Sequence, residues 1–177
     1  MNEKFTKNKF VKTTEESNII DHLINLRRVT KVTKGGKRFA FSALVVSGDQ
    51  GGKVGIALGK GREVSSAIAK ATTRARKNMI EMSLRDQTIP YGVMGSHGAS
   101  KVVLRPAYKG TGIVAGGAVR LVLDALGIKD ILAKSVKKSS SRQNLAKATL
   151  NALAKLRTIR QLSKLRGINL GAGGNSK

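Results

Sequence analysis

The fold of the first half is decided by residues 27–78, which read RRVTKVTKGGKRFAFSALVVSGDQGGKVGIALGKGREVSSAIAKATTRARKN. The adjacent glycines Gly35 and Gly36 allow the positive φ angles of a tight hairpin turn. Side chains alternate over residues 39–46 and again over residues 54–58, which is typical of strands, and the glycine-rich residues 47–52 make the turn between them. The stretch therefore predicts an antiparallel sheet.

A helix follows the third strand and completes a β-β-β-α unit. Apolar residues recur with the helical period and form one stripe, made by Val64, Ile68, Ala71, Ala75 and Met79. Basic residues occupy another face of this helix, at Lys70, Arg74 and Lys77. The unit is predicted to span residues 18–82, after a flexible polar arm at residues 1–17. Residues 19–32 fit either a strand or a short helix.

The second half predicts a β-β-α-β-α unit over residues 83–163. Residues 83–92 form a short strand or a linker, residues 100–106 a strand, and residues 115–126 a helix closed by Gly127. A strand at 131–136, a basic turn at 137–144 and a helix marked by leucines between 145 and 156 follow. The basic, glycine-rich residues 164–177 are predicted to be a flexible tail. The expected fold class is α+β, with two small domains.

The charge of the chain is large and one-sided. Its 177 residues include 34 Lys and Arg against 10 Asp and Glu, a net charge of +24, and the isoelectric point is about 11.1. Residues 18–82 carry 13 basic and 4 acidic groups, and residues 83–177 carry 17 and 3. Such a charge repels itself unless a polyanion neutralises it. Because both halves are basic, we predict a protein embedded in nucleic acid rather than one that touches a membrane with one helix.

The composition excludes several classes of function. Cysteine is absent, which excludes a disulfide framework, a Cys-ligated zinc, an iron–sulfur cluster and thiol catalysis. Only His22 and His97 offer imidazole, so we expect no multi-histidine metal site. No apolar run approaches the roughly 18 residues that span a bilayer, and the N-terminus has no apolar signal core. Without a membrane span or a signal core, the expected location is the cytoplasm. The acidic residues are scattered and form no catalytic arrangement, so we expect a protein that is not an enzyme and takes no cofactor or small-molecule substrate.

The strongest candidate for nucleic-acid binding is the hairpin around Gly35-Gly36. Six cations fall within residues 27–38, and so much charge cannot be buried without partners. Lys60 and Arg62 precede the predicted helix, whose start can bind anions through free N–H groups. The chain has four Phe, two Tyr and no Trp, so we predict recognition of RNA by shape, phosphate and 2′-OH rather than by stacked bases.

The predicted RNA contacts lie in the hairpin, before the helix and on the strands and turns of both units. They are Arg27, Arg28, Lys31, Lys34, Gly35, Gly36, Lys37, Arg38, Lys53, Lys60, Arg62, Lys101, Arg105, Lys137 and Lys138.

A glycine-rich stretch at residues 107–117 offers a competing, enzymatic interpretation. Gly110 and Gly112 precede a predicted helix, and Asp130 follows twenty residues after Gly110, which superficially matches a dinucleotide-binding fingerprint with the aspartate on the ribose. Too few strands follow for such a domain, and no Lys-Ser/Thr of a phosphate loop is present. Close backbone packing at the helix start, or a contact with protein or RNA, explains these glycines more simply.

Two long stretches of the sequence resemble a known family. Residues 27–80 and residues 107–135, the latter reading AYKGTGIVAGGAVRLVLDALGIKDILAKS, are similar to the two domains of the bacterial small-subunit ribosomal protein five family. The resemblance covers roughly residues 18–163. It departs at KKSSSRQN, residues 137–144, where family members usually have a Gly-Ser-Thr-Asn turn.

The resemblance implies a fold and a location in the cell. The first domain would be a variant double-stranded-RNA-binding fold and the second a left-handed βαβ fold. The protein would bind 16S-type rRNA in a cytoplasmic or organellar ribosome, at the back of the small subunit near the neck, and would steady the head against the body. The loop from Arg28 to Arg38 would reach the spectinomycin pocket, with Val29, Thr30 and Lys31 nearest.

The resemblance also implies protein partners. The segment from Gly112 to Arg120 would face small-subunit protein four, a contact linked to decoding accuracy and to the messenger RNA entry region. Small-subunit protein eight would be a second neighbour. A free-standing double-stranded-RNA-binding regulator or chaperone and a small NAD(P)-binding enzyme stay open as alternatives.

Overall fold

The computed structural model describes residues 19–136 and 140–168, and its first half contains a four-stranded antiparallel sheet. Strands β1 (Ile20–Thr33), β2 (Gly36–Gly48) and β3 (Lys53–Gly61) precede helix α1 (Val64–Lys77), and β4 (Ile80–Glu81) adds a short edge strand. The predicted β-β-β-α order is confirmed. The ambiguous residues 19–32 are part of strand β1, because they pair with β2 along their length.

The second half forms a mixed sheet with the strand order β5-β6-β8-β7. Its elements are β5 (Val93–His97), β6 (Ser100–Pro106), β7 (Ile113–Val114), α2 (Gly117–Leu126), β8 (Ile131–Ser135), α3 (Arg142–Leu153) and α4 (Ile159–Arg166). Strands β7 and β8 are parallel and joined through α2, which gives the expected βαβ unit, and the other pairings are antiparallel. The α+β fold class is therefore confirmed.

Three predicted details of the second half are wrong. Strands β5 and β7 were not predicted, so His97 ends a strand rather than lying in a glycine-rich loop. Residues 83–92, predicted as a short strand or a linker, form the linker, in which Arg85 and Thr88 exchange backbone hydrogen bonds at 3.0 Å. Helix α3 begins at Arg142, inside the predicted turn, because the Ser141 hydroxyl accepts a hydrogen bond from the Asn144 amide.

The third correction concerns the C-terminal tail. Helix α4 continues to Arg166, so residues 164–166 are helical rather than part of a flexible tail. Thr158 and Gln161 form a reciprocal capping box, which satisfies backbone N–H groups at the start of this helix. The predicted arm at 1–17 and the predicted RNA contacts Lys137 and Lys138 lie outside the described residues.

Helix α1 covers one face of the first sheet at very short range. Ala43 and Val45 of β2 pack against Ala67 and Ala71 of α1 in a small core. On β3 this face carries glycine, and a Cβ atom at Gly59 would overlap the Ala67 carbonyl oxygen. Small residues therefore let the helix lie directly on the sheet.

The opposite face of the first sheet belongs to a core that extends through the second half. Leu44, Val46 and Val54 are buried in one cluster with residues of α2 and the second sheet, such as Leu126 and Leu104. The layers are therefore α1, the first sheet, the helices α2 and α3, and the second sheet. Because the core is continuous, the hairpin has a fixed orientation relative to the second half of the chain.

Backbone contacts tie the two halves together at the β2–β3 turn. The amides of Gln50 and Gly52 donate to the carbonyls of Ala125 and Leu126, both at 3.2 Å. A Cβ atom at Gly48 would overlap the Ala125 carbonyl oxygen, so only glycine fits this junction. This turn therefore anchors the C-terminal end of α2 to the first sheet.

Candidate nucleic-acid interface

The β1–β2 hairpin projects beyond the rest of the first sheet. The last residue of β3 pairs with Phe41, so residues 36–40 of β2 pair with β1 alone. From the Arg28–Phe41 pair to the Thr33–Gly36 pair the two-stranded ribbon spans about 17 Å at the usual rise per residue. At the tip, Gly36 has a φ of 122° and the Thr33 hydroxyl donates to its carbonyl at 3.0 Å. The predicted turn at Gly35-Gly36 is confirmed.

Six cations lie on this ribbon or at its base, and none forms an ion pair with a described residue. Arg27, Arg28, Lys31, Lys34, Lys37 and Arg38 are all exposed. In the described part of the chain, the contacts between a basic side chain and a carboxylate are Arg76–Asp21 and His22–Asp124, and neither includes a hairpin residue. The positive charge of the hairpin is thus uncompensated by the chain itself, which favours a polyanionic partner.

The register divides the hairpin into two faces. Paired residues of an antiparallel ribbon point to the same side, so the α1-side face carries Arg28, Thr30, Val32, Lys37 and Phe39. The opposite face carries Arg27, Val29, Lys31 and Arg38. Val29, Thr30 and Lys31 are all exposed, but Thr30 lies on the other side of the ribbon from its two neighbours.

The start of α1 extends the basic surface of the hairpin. Lys60, in β3, pairs with Ser42 and therefore lies with Arg27 on the face opposite α1, whereas Arg62 lies in the loop before α1, and both are exposed. Glu63 precedes the helix without capping it through its side chain, and no acidic residue occupies the first turn. Lys70 and Lys77 continue the exposed positive charge along the helix. Arg62 and the two lysines of α1 therefore continue the basic α1-side face of the hairpin, while Lys60 adds to the opposite face.

Two arginines of α1 form hydrogen bonds with residues of the first sheet. Arg76 donates to Asp21, which also accepts from the Ser47 hydroxyl, and this hydrogen bond raises the pKa of Arg76. Arg74 donates to the Leu58 carbonyl at 3.3 Å. These contacts fasten α1 to the sheet, and so they stabilise the surface on which the free lysines lie.

Other predicted contacts lie away from the hairpin. Lys53 is half-buried at the far end of the sheet, where it lies opposite Glu81 in the register of β3 and β4. Lys101 and Arg105 lie on the face of β6 opposite the buried Val102 and Leu104, so they point away from the first sheet. The predicted RNA contacts thus fall on separate surfaces, and only those of the hairpin and the loop before α1 come together.

The face of the second sheet that carries Lys101 and Arg105 has one further cation that was not predicted from the sequence. Lys134 is exposed on β8 and pairs with Val103, so it lies on the same open face as Lys101 and Arg105. Its position follows from the alternation with the buried Ile131 and the half-buried Ala133. That alternation was the available signal.

The glycine-rich stretch is held by a buried carboxylate. Asp130 is 5% exposed, and its Oδ1 atom accepts from the amides of Gly110 at 3.0 Å and Gly112 at 2.9 Å. These glycines have φ angles of 93° and 75°, whereas added Cβ atoms at Gly110, Gly112, Gly116 and Gly117 would meet nothing within 4 Å. The expectation of close backbone packing is therefore wrong, and left-handed backbone explains Gly110 and Gly112.

The same carboxylate argues against a dinucleotide site. Asp130 was the candidate for binding a ribose, but its Oδ1 is already hydrogen-bonded to the backbone of its own loop. The sheet is mixed, with two antiparallel pairings, unlike the parallel sheet of a dinucleotide-binding fold. The two residues predicted to face protein four lie on either side of β7. Gly112, just before β7, is half-buried, and Arg120, in the first turn of α2, is exposed.

Residues 19–136 and 140–168 show neither a metal-binding cluster nor a membrane-spanning helix. Within these ranges no group of three or more His, Cys, Asp or Glu residues could hold a metal ion. No helix in the same ranges is long and apolar enough to cross a membrane.

Comparison with known proteins gives a consistent result over most of the chain. Residues 19–83 match the family described as ribosomal protein S5, N-terminal domain, and residues 95–166 match ribosomal protein S5, C-terminal domain. The small ribosomal subunit protein uS5 of Orientia tsutsugamushi is 52% identical over 157 residues, which cover 88% of this chain and 91% of that protein. The uS5 proteins of Lawsonia intracellularis and Porphyromonas gingivalis are 47% and 48% identical, covering 86% and 90% of this chain and 93% and 92% of theirs.

Proposed function

Since this chain belongs to the ribosomal protein S5 family, we propose that it binds small-subunit rRNA with the β1–β2 hairpin as its most extended contact. As a member of this family the chain is a structural protein of the small ribosomal subunit, acting within the ribosome. The family is one of structural rather than catalytic proteins.

One observation carries the proposal of hairpin-mediated binding. The ribbon of residues 28–41 projects past the end of β3 and exposes five cations, with Arg27 as a sixth at its base, and no carboxylate of the described residues pairs with them. Phosphate groups of RNA supply the missing counter-charge, and release of their counterions favours the complex. No observation favours a free-standing double-stranded-RNA module, because the first sheet buries one of its faces in the second half of the chain.

The proposed location follows the family. We propose that the chain lies at the back of the subunit near the neck and steadies the head against the body. The hairpin would reach toward the spectinomycin pocket with Val29, Thr30 and Lys31. Small-subunit proteins four and eight would be neighbours, with the messenger RNA entry region nearby.

Binding to 16S-type rRNA is tested by its dependence on salt. The affinity of the full chain for a small-subunit rRNA transcript should fall linearly on a double-logarithmic plot of association constant against salt concentration. A slope of about −4 or steeper is expected if most hairpin cations contact phosphates, at roughly 0.9 per contact. An affinity that does not change with salt would contradict the proposal.

The proposed contact with protein four predicts an effect on decoding accuracy. Arg120→Glu reverses an exposed charge in the first turn of α2, and breaking an interface there would bias a two-state closure of the subunit. We expect altered misreading rates in translating ribosomes that carry Arg120→Glu or Gly112→Asp. Lys129→Glu, which makes the same charge change at an exposed position beyond α2, is the control for the former.

Gly112→Asn is the control for the second variant. Gly112 has a φ of 75°, and Asn and Asp both tolerate this conformation, so the pair differs mainly in charge. Misreading rates equal to those of the unmodified chain for both Arg120→Glu and Gly112→Asp would rule out the proposed role.

A further inference from the structure

We propose that the α1-side face of the hairpin holds an unpaired RNA base by stacking on the Arg28–Phe39 pair. This inference rests on the proposed binding of rRNA, and it adds a second mode of recognition to the phosphate contacts. It assigns a function to the exposed ring of Phe39, which charge alone does not explain.

The first observation is the exposure of two apolar side chains near the hairpin tip. Phe39 is 50% exposed and Val32 is 71% exposed. Phe39 pairs with Thr30 and Val32 with Lys37, beyond the point where β3 ends. Neither belongs to the core clusters, so the described fold gives them no packing role.

The second observation is the position of the Arg28 guanidinium. Its central carbon lies 4.6 Å from the centroid of the Phe39 ring, within the range of a cation–π contact. Arg28 pairs with Phe41 and Phe39 with Thr30, so the two side chains are diagonal neighbours on one face. The ring thus carries a planar cation over one part of its surface while half of the side chain stays exposed. Each of these groups offers a flat surface to a base.

The surroundings of this pair favour a nucleotide over an apolar protein segment. Lys37 lies on the same face, and Lys31 and Arg38 lie directly behind it on the other face of the same thin ribbon. A stacked base would have cations on either side for its flanking phosphates, and Thr30 offers a hydroxyl beside the ring. An unpaired base is required because bases within a duplex have no exposed flat surface.

The test compares variants of the full chain on a small-subunit rRNA transcript over a salt series. Phe39→Leu removes the ring but keeps an apolar side chain, and we expect affinity to fall about 5-fold to 100-fold with no change in the salt slope. Phe39→Trp keeps a stacking surface and should bind as tightly as the unmodified chain. Lys37→Gln should lower both the affinity and the steepness of the slope. Val32→Thr, of similar shape and without a ring, should change affinity little.

Each alternative outcome has a distinct meaning. If Phe39→Leu binds like the unmodified chain while Lys37→Gln weakens binding with a shallower slope, the stacking inference is overturned and the proposed function stands. If neither variant weakens binding, hairpin-mediated rRNA recognition fails as well. If Phe39→Leu binds rRNA normally but enters small subunits poorly, the face contacts a protein, which also overturns the inference.

Discussion

A chain carrying Lys31→Gln, Lys34→Gln, Lys37→Gln and Arg38→Gln is expected to bind small-subunit rRNA about 100-fold to 1,000-fold more weakly at about 0.1 M salt. The four side chains are exposed at the hairpin tip and unpaired by acidic residues of the described chain. Because each lost phosphate contact reduces counterion release, the salt slope should become shallower by roughly 3 to 4. Equilibrium binding over a salt series measures both quantities.

The control for this variant keeps the charge at the same four positions. Exchanging the three lysines for arginine and Arg38 for lysine preserves the number of cations, so both the affinity and the salt slope should stay close to those of the unmodified chain. Circular dichroism should report the same fold for both variants, since these residues do not belong to the core clusters. If the glutamine variant loses no more affinity than the charge-preserving one, the hairpin is not an RNA contact.

Gly48→Ala is expected to destabilise the protein by about 3 kcal/mol, at the upper end of the range for overpacked interiors. A Cβ atom at this position overlaps the carbonyl oxygen of Ala125, and neither backbone can move without separating α2 from the first sheet. Gly117→Ala is the matched control, because a Cβ there meets nothing within 4 Å and the residue is helical. That control should leave stability unchanged or raise it slightly. Urea unfolding of the full chain measures both values.

The same unfolding experiment tests the continuity of the core. Residues of the first sheet such as Val46 and Val54 are buried together with Leu123 and Leu126 of α2. We therefore expect one cooperative transition that is shared by all probes. Two separate transitions, or a Gly48→Ala variant as stable as the unmodified chain, would show that the halves are energetically independent.

Local patterns were enough to predict the first sheet and the hairpin. The alternation from Phe39 to Val46 and the adjacent glycines Gly35 and Gly36 each have a direct structural cause, and the structure contains the strand and the turn that they predict. Strand β6 was predicted with its observed bounds, Ser100–Pro106, from a short run that contains the apolar residues Val102, Val103 and Leu104. Each of these elements has a local signal in its own residues, so the rest of the chain was not needed to predict it.

Elements stabilised by tertiary contacts could not be predicted in this way. Strand β7 is two residues long, and β5 contains Gly95, which is there because a Cβ would overlap the Ala148 carbonyl oxygen of α3. Helix α4 is different, because its capping box of Thr158 and Gln161 is a local Thr-x-x-Gln signal that was present in the sequence and was missed. The shared core was also invisible, since apolar residues of a strand do not reveal which element covers them.

The candidate site was predictable in its charge but not in its arrangement. The six hairpin cations followed from their density in the sequence, whereas the sorting of Arg28 and Phe39 onto one face required the register of β1 and β2. Asp130 shows the limit of motif spacing, because its Oδ1 accepts from the amides of Gly110 and Gly112 rather than binding a ligand. Spacing along the chain cannot distinguish a carboxylate that binds a ligand from one that holds its own loop.

The most direct test of the central claim is sucrose-gradient sedimentation of a native lysate that contains a tagged copy of the chain. We predict that the tagged chain co-migrates with the small ribosomal subunit and stays bound after a high-salt wash, because an integral structural protein is held by many contacts. The hairpin variant with four glutamines should be released by the same wash or fail to enter the subunit. An unmodified chain that sediments slowly, or that the wash removes, would contradict the account.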